Sequence, residues 1–339
     1  MENIDYKTLG FSYHEIPYRF VAKYKDGKWD DGCLSNDSNV VLNESAAILQ
    51  YCGQVFEGLK AYRTVDNRVV LFRPDMNARR LHDSAEVMQM PPFDEKRFVD
   101  VVKEVVKANI DYVPPYNSGA SLYLRPYIFG TNPILGVKPA SEYEFRIFGS
   151  PVGPYFAGDK TLKRLFVSSY DRAAPHGTGN IKAGLNYAMS LRPYVCAHKA
   201  GYDENLYLDS ASRTYIEETG GANILFIDKN NKVVTPKSDS ILPSITRKSV
   251  LYVAKHYLNL EIEERPINVN ELDNFAECGL CGTAAVIAPV GSITYNDKEY
   301  EFKTGPIVDK LRDMLLGIQK GAVEAPDGWI VEVKYYFQS

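Results

Sequence analysis

Apolar positions along the chain follow two rhythms. Residues 77–88 set Leu81, Ala85 and Met88 on one helical stripe. Residues 95–110 space Phe98, Val101, Val102, Val105, Val106 and Ala108 in the same way, before Pro114-Pro115 stop the run. Residues 246–258 predict a third helix. A fourth starts near Pro306, a good first-turn residue, and carries Ile307, Leu311, Leu315 and Ile318 on its apolar face. Short β-branched and aromatic runs predict strands at 69–72, 121–129, 143–149, 164–169, 213–218, 223–227 and 279–288. Asp228-Lys229-Asn230-Asn231 and Asn296-Asp297 predict hairpin tips. Helices and strands mix without strict βαβ alternation, which predicts an α+β class rather than a doubly wound parallel sheet.

At 339 residues the chain is long for one core, so two domains are expected. The polar stretch 153–163, with Pro154 and Gly158, is the best boundary. It divides the chain into a small N-terminal α/β domain (1–156), a linker with the first strand of the second domain (157–170), and a C-terminal domain (171–335). Tyr336-Phe337-Gln338-Ser339 reads as a protease-tag remnant. The net charge of -4, from 39 basic and 43 acidic residues, argues against a general nucleic-acid binder, and there is no basic block for a membrane surface. No apolar run approaches the roughly 20 residues of a membrane span. The acidic start Met1-Glu2-Asn3-Ile4-Asp5 lacks the pattern of a signal peptide. Five cysteines in this length are no disulfide framework, and a cytoplasmic protein is expected. The histidines and scattered cysteines show no metal spacing. Cys278 and Cys281, at the start of an apolar strand, are expected to be buried free thiols.

Several segments carry candidate chemistry. In Gly177-Thr178-Gly179-Asn180-Ile181-Lys182-Ala183-Gly184, three glycines flank one lysine. Such a segment is either a surface loop with a solvated amine or a nucleophilic lysine held among apolar groups, where lost solvation activates the amine toward an aldehyde. In Ile216-Glu217-Glu218-Thr219-Gly220-Gly221-Ala222-Asn223 a strand ends in an acid before a glycine pair. That is either a plain turn or a carboxylate aimed at a ring nitrogen. Leu242-Pro243-Ser244-Ile245-Thr246-Arg247 precedes a helix. Ser244 is a plausible cap, and the N–H groups of Ile245 and Thr246 would face an anion. Arg80, on the helix over 77–88, could add a positive charge.

In this order these segments resemble the fold-type IV pyridoxal-phosphate enzymes and, more narrowly, the branched-chain amino-acid aminotransferases. Further matching segments are Tyr51-Cys52-Gly53-Gln54-Val55-Phe56-Glu57-Gly58-Leu59-Lys60, Phe72-Arg73-Pro74, Tyr123-Leu124-Arg125-Pro126 and Gly282-Thr283-Ala284. The resemblance runs from about Phe11 to Val331. It implies a two-domain fold with a C-terminal cofactor-binding domain, pyridoxal 5'-phosphate as cofactor, and a homodimer. The implied reaction is a ping-pong transfer of the amino group of L-leucine, L-isoleucine or L-valine to 2-oxoglutarate, with a branched 2-oxo acid and L-glutamate as products. D-amino-acid aminotransferases and aminodeoxychorismate lyases share the lysine and the acid, but not the Phe56-Glu57-Gly58 box combined with Tyr123-Leu124-Arg125-Pro126.

The resemblance also implies roles. Lys182 would carry the cofactor covalently and shuttle the proton, Glu218 would pair with the ring nitrogen, and Tyr187 would bond the ring hydroxyl oxygen. Arg80, Ile245, Thr246 and Thr283 would hold the phosphate. Arg172 would lie near the cofactor, and Asn223 would support Glu218. Phe56, Tyr51, Val137, Tyr155 and Tyr187 would form an apolar substrate box. Tyr123 and Arg125, two apart on a strand and so on one face, would line the same pocket. The backbone of Thr283 and Ala284 would take the α-carboxylate, and Arg125 or a tyrosine hydroxyl the side-chain carboxylate of glutamate. Two departures matter. The redox dithiol of some members would align with Ala285 and Ala288, not with Cys278 and Cys281, so no redox switch is carried over. Ser244 stands where some relatives have glycine, a change that the cap role tolerates.

Overall fold

The computed structural model describes residues 4–6, 8–153, 162–303 and 305–335. Tyr155, most of the linker core and residues 336–339 lie outside them. The chain divides into two compact units. The first comprises Met1–Ala157, Lys182–Leu185 and Ile318–Ser339, and the second Gly158–Ile181 and Asn186–Gly317. The short Lys182 segment and the closing segment therefore belong with the N-terminal part of the chain.

The first unit is built on an antiparallel sheet of nine strands. These are Arg19–Lys25 (β1), Lys28–Trp29 (β2), Cys33–Ser35 (β3), Gln54–Phe56 (β4), Leu59–Arg63 (β5), Val69–Phe72 (β6), Ser121–Gly130 (β7), Tyr143–Val152 (β8) and, from the far end of the chain, Ile330–Glu332 (β18). Their order is β18-β6-β5-β7-β8-β1-β2, with β3 on β1 and β4 on β7. Three helices, Ala47–Tyr51 (α1), Pro74–Val87 (α2) and Glu95–Ala108 (α3), accompany it. The α3 stripe is buried as its periodicity predicts: Phe98, Val101, Val102, Val105 and Val106 turn inward, and Asp94 caps the helix by accepting the Arg97 N–H at 2.7 Å. Phe98 and Phe93 pack on Phe145 of β8, Phe93 stacking at 4.1 Å between centroids. Each such buried ring contributes about 1.5–3 kcal/mol.

The second unit holds a mixed sheet of Lys163–Val167 (β9), Glu204–Leu208 (β10), Ile216–Thr219 (β11), Asn223–Asp228 (β12), Val233–Pro236 (β13), Ile262–Arg265 (β14), Phe275–Gly282 (β15), Val286–Tyr295 (β16) and Lys298–Glu301 (β17). The order is β11-β10-β9-β16-β15-β12-β13-β14, with β17 on β16. The pairs β9/β10, β9/β16 and β13/β14 are parallel and the others antiparallel. Four helices, Gly184–Met189 (α4), Leu191–Lys199 (α5), Ile245–His256 (α6) and Pro306–Gln319 (α7), follow the chain through this part. The α+β class is as expected, and the Asp228–Asn231 and Asn296–Asp297 hairpin tips fall where the turn residues put them.

Two expectations are corrected. Residues 279–288 are not one strand: β15 ends at Gly282 and β16 starts at Val286, with Thr283–Ala285 as the turn. Both strands are core, so the apolar run continues through a turn that contains no Gly, Pro or Asn. Val286 enters β16 at φ +60°, a conformation that a β-branched residue takes only under constraint. Residues 213–215 are also not strand. The Asp209 carboxylate accepts the N–H groups of Ser212, Thr214 and Tyr215 at 2.7–2.9 Å, folding the segment into a side-chain-closed turn, and β11 begins only at Ile216. Cys278 and Cys281 are buried free thiols, as expected. No helix among the described residues is long and apolar enough to cross a membrane.

Candidate active site

In the first unit the chemistry gathers around Lys182. Its carbonyl accepts the Phe56 N–H at 3.0 Å, its own N–H donates to the Ser84 hydroxyl of α2 at 3.1 Å, and Ala183 bridges Val55. The lysine backbone is thus fixed by β4 on one side and α2 on the other, which leaves only the side chain to move. Nζ lies 4.6 Å from the centroid of the Phe56 ring. The Arg125 guanidinium lies 4.8 Å from the same centroid and 5.3 Å from that of Tyr123, and donates to the Tyr123 hydroxyl at 3.0 Å. Phe56, Tyr123, Arg125 and Lys182 are therefore one cluster, and the spacing of two along β7 does put Tyr123 and Arg125 on one face. Gly58 is required there, because a Cβ would meet the Tyr123 hydroxyl oxygen at 2.1 Å.

Arg80 is buried on α2, and its fork is engaged. Glu57, fully buried, accepts from its Nε at 2.7 Å and its Nη2 at 2.8 Å, from Asn77 Nδ2 at 2.7 Å and from the Gly58 N–H at 3.2 Å. Reading the residues one at a time singles out neither Glu57 nor Ser84. The available signal is a lone acid within an apolar run, since a buried carboxylate requires a cation. Which cation is set by packing of elements more than twenty residues apart. Tyr51 ends α1 and donates from its hydroxyl to the Leu135 carbonyl, and Val137, two residues further along that loop, is 86% exposed. Tyr155 is not among the described residues.

In the second unit Glu218 is buried on β11. One carboxylate oxygen accepts the Leu242 N–H at 3.1 Å, and the other accepts from Asn223 Nδ2. Arg172, also buried, places Nη2 3.3 Å from Glu218 and donates to the carbonyls of Ser240 and Gly179. Gly179 permits this approach, because a Cβ there would lie 2.4 Å from the Ser240 oxygen and 2.8 Å from Arg172 Nη2. Glu217, equally buried, accepts the Ser238 hydroxyl at 2.8 Å. Ser244 caps α6 by accepting the Arg247 N–H at 3.1 Å. The Ile245 and Thr246 N–H groups, in the first helical turn, have no intrahelical acceptor. Thr283 and Ala284 occupy the β15–β16 turn beside the β11–β12 turn, with the Gly221 oxygen 3.7 Å from a Cβ built on Gly282. Tyr187 lies half-buried on α4.

These donors suit a phosphorylated pyridine aldehyde. A fixed amine can condense with the aldehyde, a capped helix N-terminus takes a phosphate, and a buried carboxylate favours a protonated ring nitrogen. The Asn223 Oδ1 and Arg172 Nε atoms beside Glu218 are buried without hydrogen-bond partners, polar capacity still available for a ligand.

Comparison with known proteins agrees. The class IV amino-transferase family model matches residues 54–293. A branched-chain-amino-acid aminotransferase of Haemophilus influenzae is 48% identical over 98% of this chain and 100% of its own. The crystal structure of the Escherichia coli branched-chain amino acid aminotransferase superposes with a TM-score of 0.80 at 28% identity, covering 94% of this chain and all of that one. The branched-chain amino acid aminotransferase from Thermobaculum terrenum, in its PLP-bound holo-form, does so with 0.76 at 25% identity, covering 93% and 98%. With a match along nearly its whole length and the fold to accompany it, the chain belongs to the class IV aminotransferases and, within them, to the branched-chain-amino-acid aminotransferases.

Proposed function

We infer that the chain moves the amino group of L-leucine, L-isoleucine or L-valine to 2-oxoglutarate in a reversible ping-pong cycle, using pyridoxal 5'-phosphate. The observation that carries this reading is the clamped Lys182, whose amine shares the Phe56 ring with the Arg125 guanidinium. When bound, the cofactor supplies a conjugated ring that accepts the electron pair released at the substrate Cα. Lys182 holds the cofactor through Nζ and moves the Cα proton, a positioned acid–base worth about 10²–10⁴-fold. Glu218, steadied by Asn223 and Leu242, keeps the ring nitrogen protonated, and Tyr187 bonds the ring hydroxyl oxygen. Ile245, Thr246 and Thr283 hold the phosphate, with Arg80 contributing from its seat on Glu57; Arg172 adds positive charge nearby.

The resemblance assigns Phe56, Tyr51, Tyr123, Val137 and Tyr155 to the branched side chain, and the backbone of Thr283 and Ala284 to the α-carboxylate. Arg125 donates to the second carboxylate of glutamate, so that the same residues serve both substrates in turn. The purified holoprotein should show a visible cofactor band that L-leucine bleaches and 2-oxoglutarate restores. A band indifferent to L-leucine but bleached by D-alanine would reject the branched-chain reading.

The same reading makes the protein a cytoplasmic homodimer. Its five cysteines are free, which suits a reducing compartment. Leu49, Leu135 and Val137 are 58%, 89% and 86% exposed on the first unit, an apolar surface that a second copy would cover. Val137→Asp should shift the sedimentation coefficient from dimer toward monomer. A wild-type protein that sediments as a monomer at micromolar concentration would refute the homodimer.

A further inference from the structure

We propose that Glu217 is a positioning residue: it neutralises Arg172, so that the charge of Glu218 is left for the protonated ring nitrogen of the cofactor. The inference rests on the reading above that Glu218 faces that nitrogen. Two adjacent acids on a strand point to opposite faces, and a buried carboxylate is costly unless it is paired. Yet both Glu217 and Glu218 are buried, at 3% and 5% exposure. The Arg172 guanidinium lies against both, with Nη2 3.3 Å from Glu218 and 4.0 Å from Glu217. Were Glu218 the only acid, it and Arg172 would form a neutral pair with no net charge to hold a proton on a neighbouring base. With Glu217 present, one cation faces two carboxylates and one negative charge remains.

Each acid also has its own anchor. Ser238 donates its hydroxyl to Glu217 at 2.8 Å, while the Leu242 N–H donates to Glu218 at 3.1 Å. The charge balance is therefore separable from the backbone geometry. Of the other ionisable neighbours, Glu204 on the adjacent β10 is pushed up to about 7 by burial and adds negative charge only above that pH, in wild type and variants alike. Arg247 on α6 pairs with Glu264 at 3.4 Å. Burial pushes the Cys281 thiol, which feels Glu218, and the Tyr207 phenol, which feels Arg172, up to about 12, so both stay neutral.

The test uses holoenzyme reconstituted with pyridoxal 5'-phosphate carrying ¹⁵N in the ring, whose chemical shift reports the ring proton across pH. Glu217→Gln keeps an oxygen for Ser238 but loses the charge. Its protonation midpoint should fall by about one pH unit, tenfold in proton affinity, with a lower kcat for L-leucine and little change in KM. Glu217→Asp should restore the wild-type midpoint, and Ser238→Ala, which keeps the charge, should leave it in place. If Glu218→Gln moves the midpoint and Glu217→Gln does not, this inference fails alone; if neither moves it, the role of Glu218 fails. A shift in Ser238→Ala as large as that in Glu217→Gln would assign the effect to loop geometry and overturn the proposal. If Glu217→Gln binds no cofactor, Arg172→Met reads the same balance with the opposite sign: the midpoint should rise, and a fall or no change would overturn it.

Discussion

Lys182→Ala should still bind pyridoxal 5'-phosphate and should lose nearly all turnover of L-leucine. The expectation follows from the division of labour proposed above. In that proposal the phosphate is held by the capped start of α6 and by Arg80, whose guanidinium is seated on Glu57, so affinity should survive in large part. Two things are lost together: the amine that bonds the cofactor and the base that moves the Cα proton. Loss of the base alone is worth about 10²–10⁴-fold, so residual turnover should lie at least that far below wild type. Alanine retains the backbone N–H and carbonyl that bond Ser84 and Phe56, so the fold should persist. Cofactor binding by equilibrium dialysis and turnover by coupled glutamate release check the two halves separately. Wild-type turnover would show that Lys182 is not the nucleophile; folded protein with no cofactor affinity would show that the phosphate groups are misassigned.

A comparably large effect, on stability rather than rate, is expected for Glu57→Ala. It removes the acceptor of the Arg80 Nε and Nη2 bonds, of the Asn77 amide and of the Gly58 N–H, and takes the Glu57 charge away from a buried guanidinium. Breaking a buried pair by removing one member typically costs about 3–5 kcal/mol, whereas replacing both members with apolar residues is often neutral or better. Glu57→Ala should therefore lower the urea midpoint of the first unit strongly, and the double variant Glu57→Met with Arg80→Met should recover most of it. The protein reports this conveniently, since its two tryptophans, Trp29 and Trp329, both belong to that unit. A loss below about 1 kcal/mol, the range of an exposed pair, would mean that water reaches Arg80 and that the pair is not sealed.

Much of the fold is legible in the chain because the responsible forces are local. The α3 stripe and the two asparagine-bearing hairpin tips each carry their cause within a few residues, whereas α3 ends at Ala108, ahead of Pro114-Pro115, where the Asn109 side chain donates to the Val105 carbonyl. The turn at Thr283–Ala285 does not, because it forms between two buried strands and is imposed by their pairing rather than by turn-forming residues. The site divides in the same way. Lys182 stands out through its glycine neighbours, and Tyr123 with Arg125 through strand alternation. Glu57 with Arg80, Glu217 with Arg172 and Ser84 with Lys182 depend on which elements meet in space, and nothing in the flanking residues of either member announces the other.

The position of β18 bears on synthesis of the protein. β6 carries a buried run, Val69–Phe72, whose outer edge pairs with Ile330–Glu332, while Arg73 N–H bonds the Trp329 carbonyl at 2.7 Å and its guanidinium lies over the indole at 4.4 Å. That edge is completed by residues made roughly 260 positions later. At the usual pace of translation the interval is on the order of tens of seconds, during which a four-residue apolar strand edge stays open to other chains. The sheet of the first unit is thus completed only after the segment that carries β18 has been made, and its edge is set by long-range rather than local pairing.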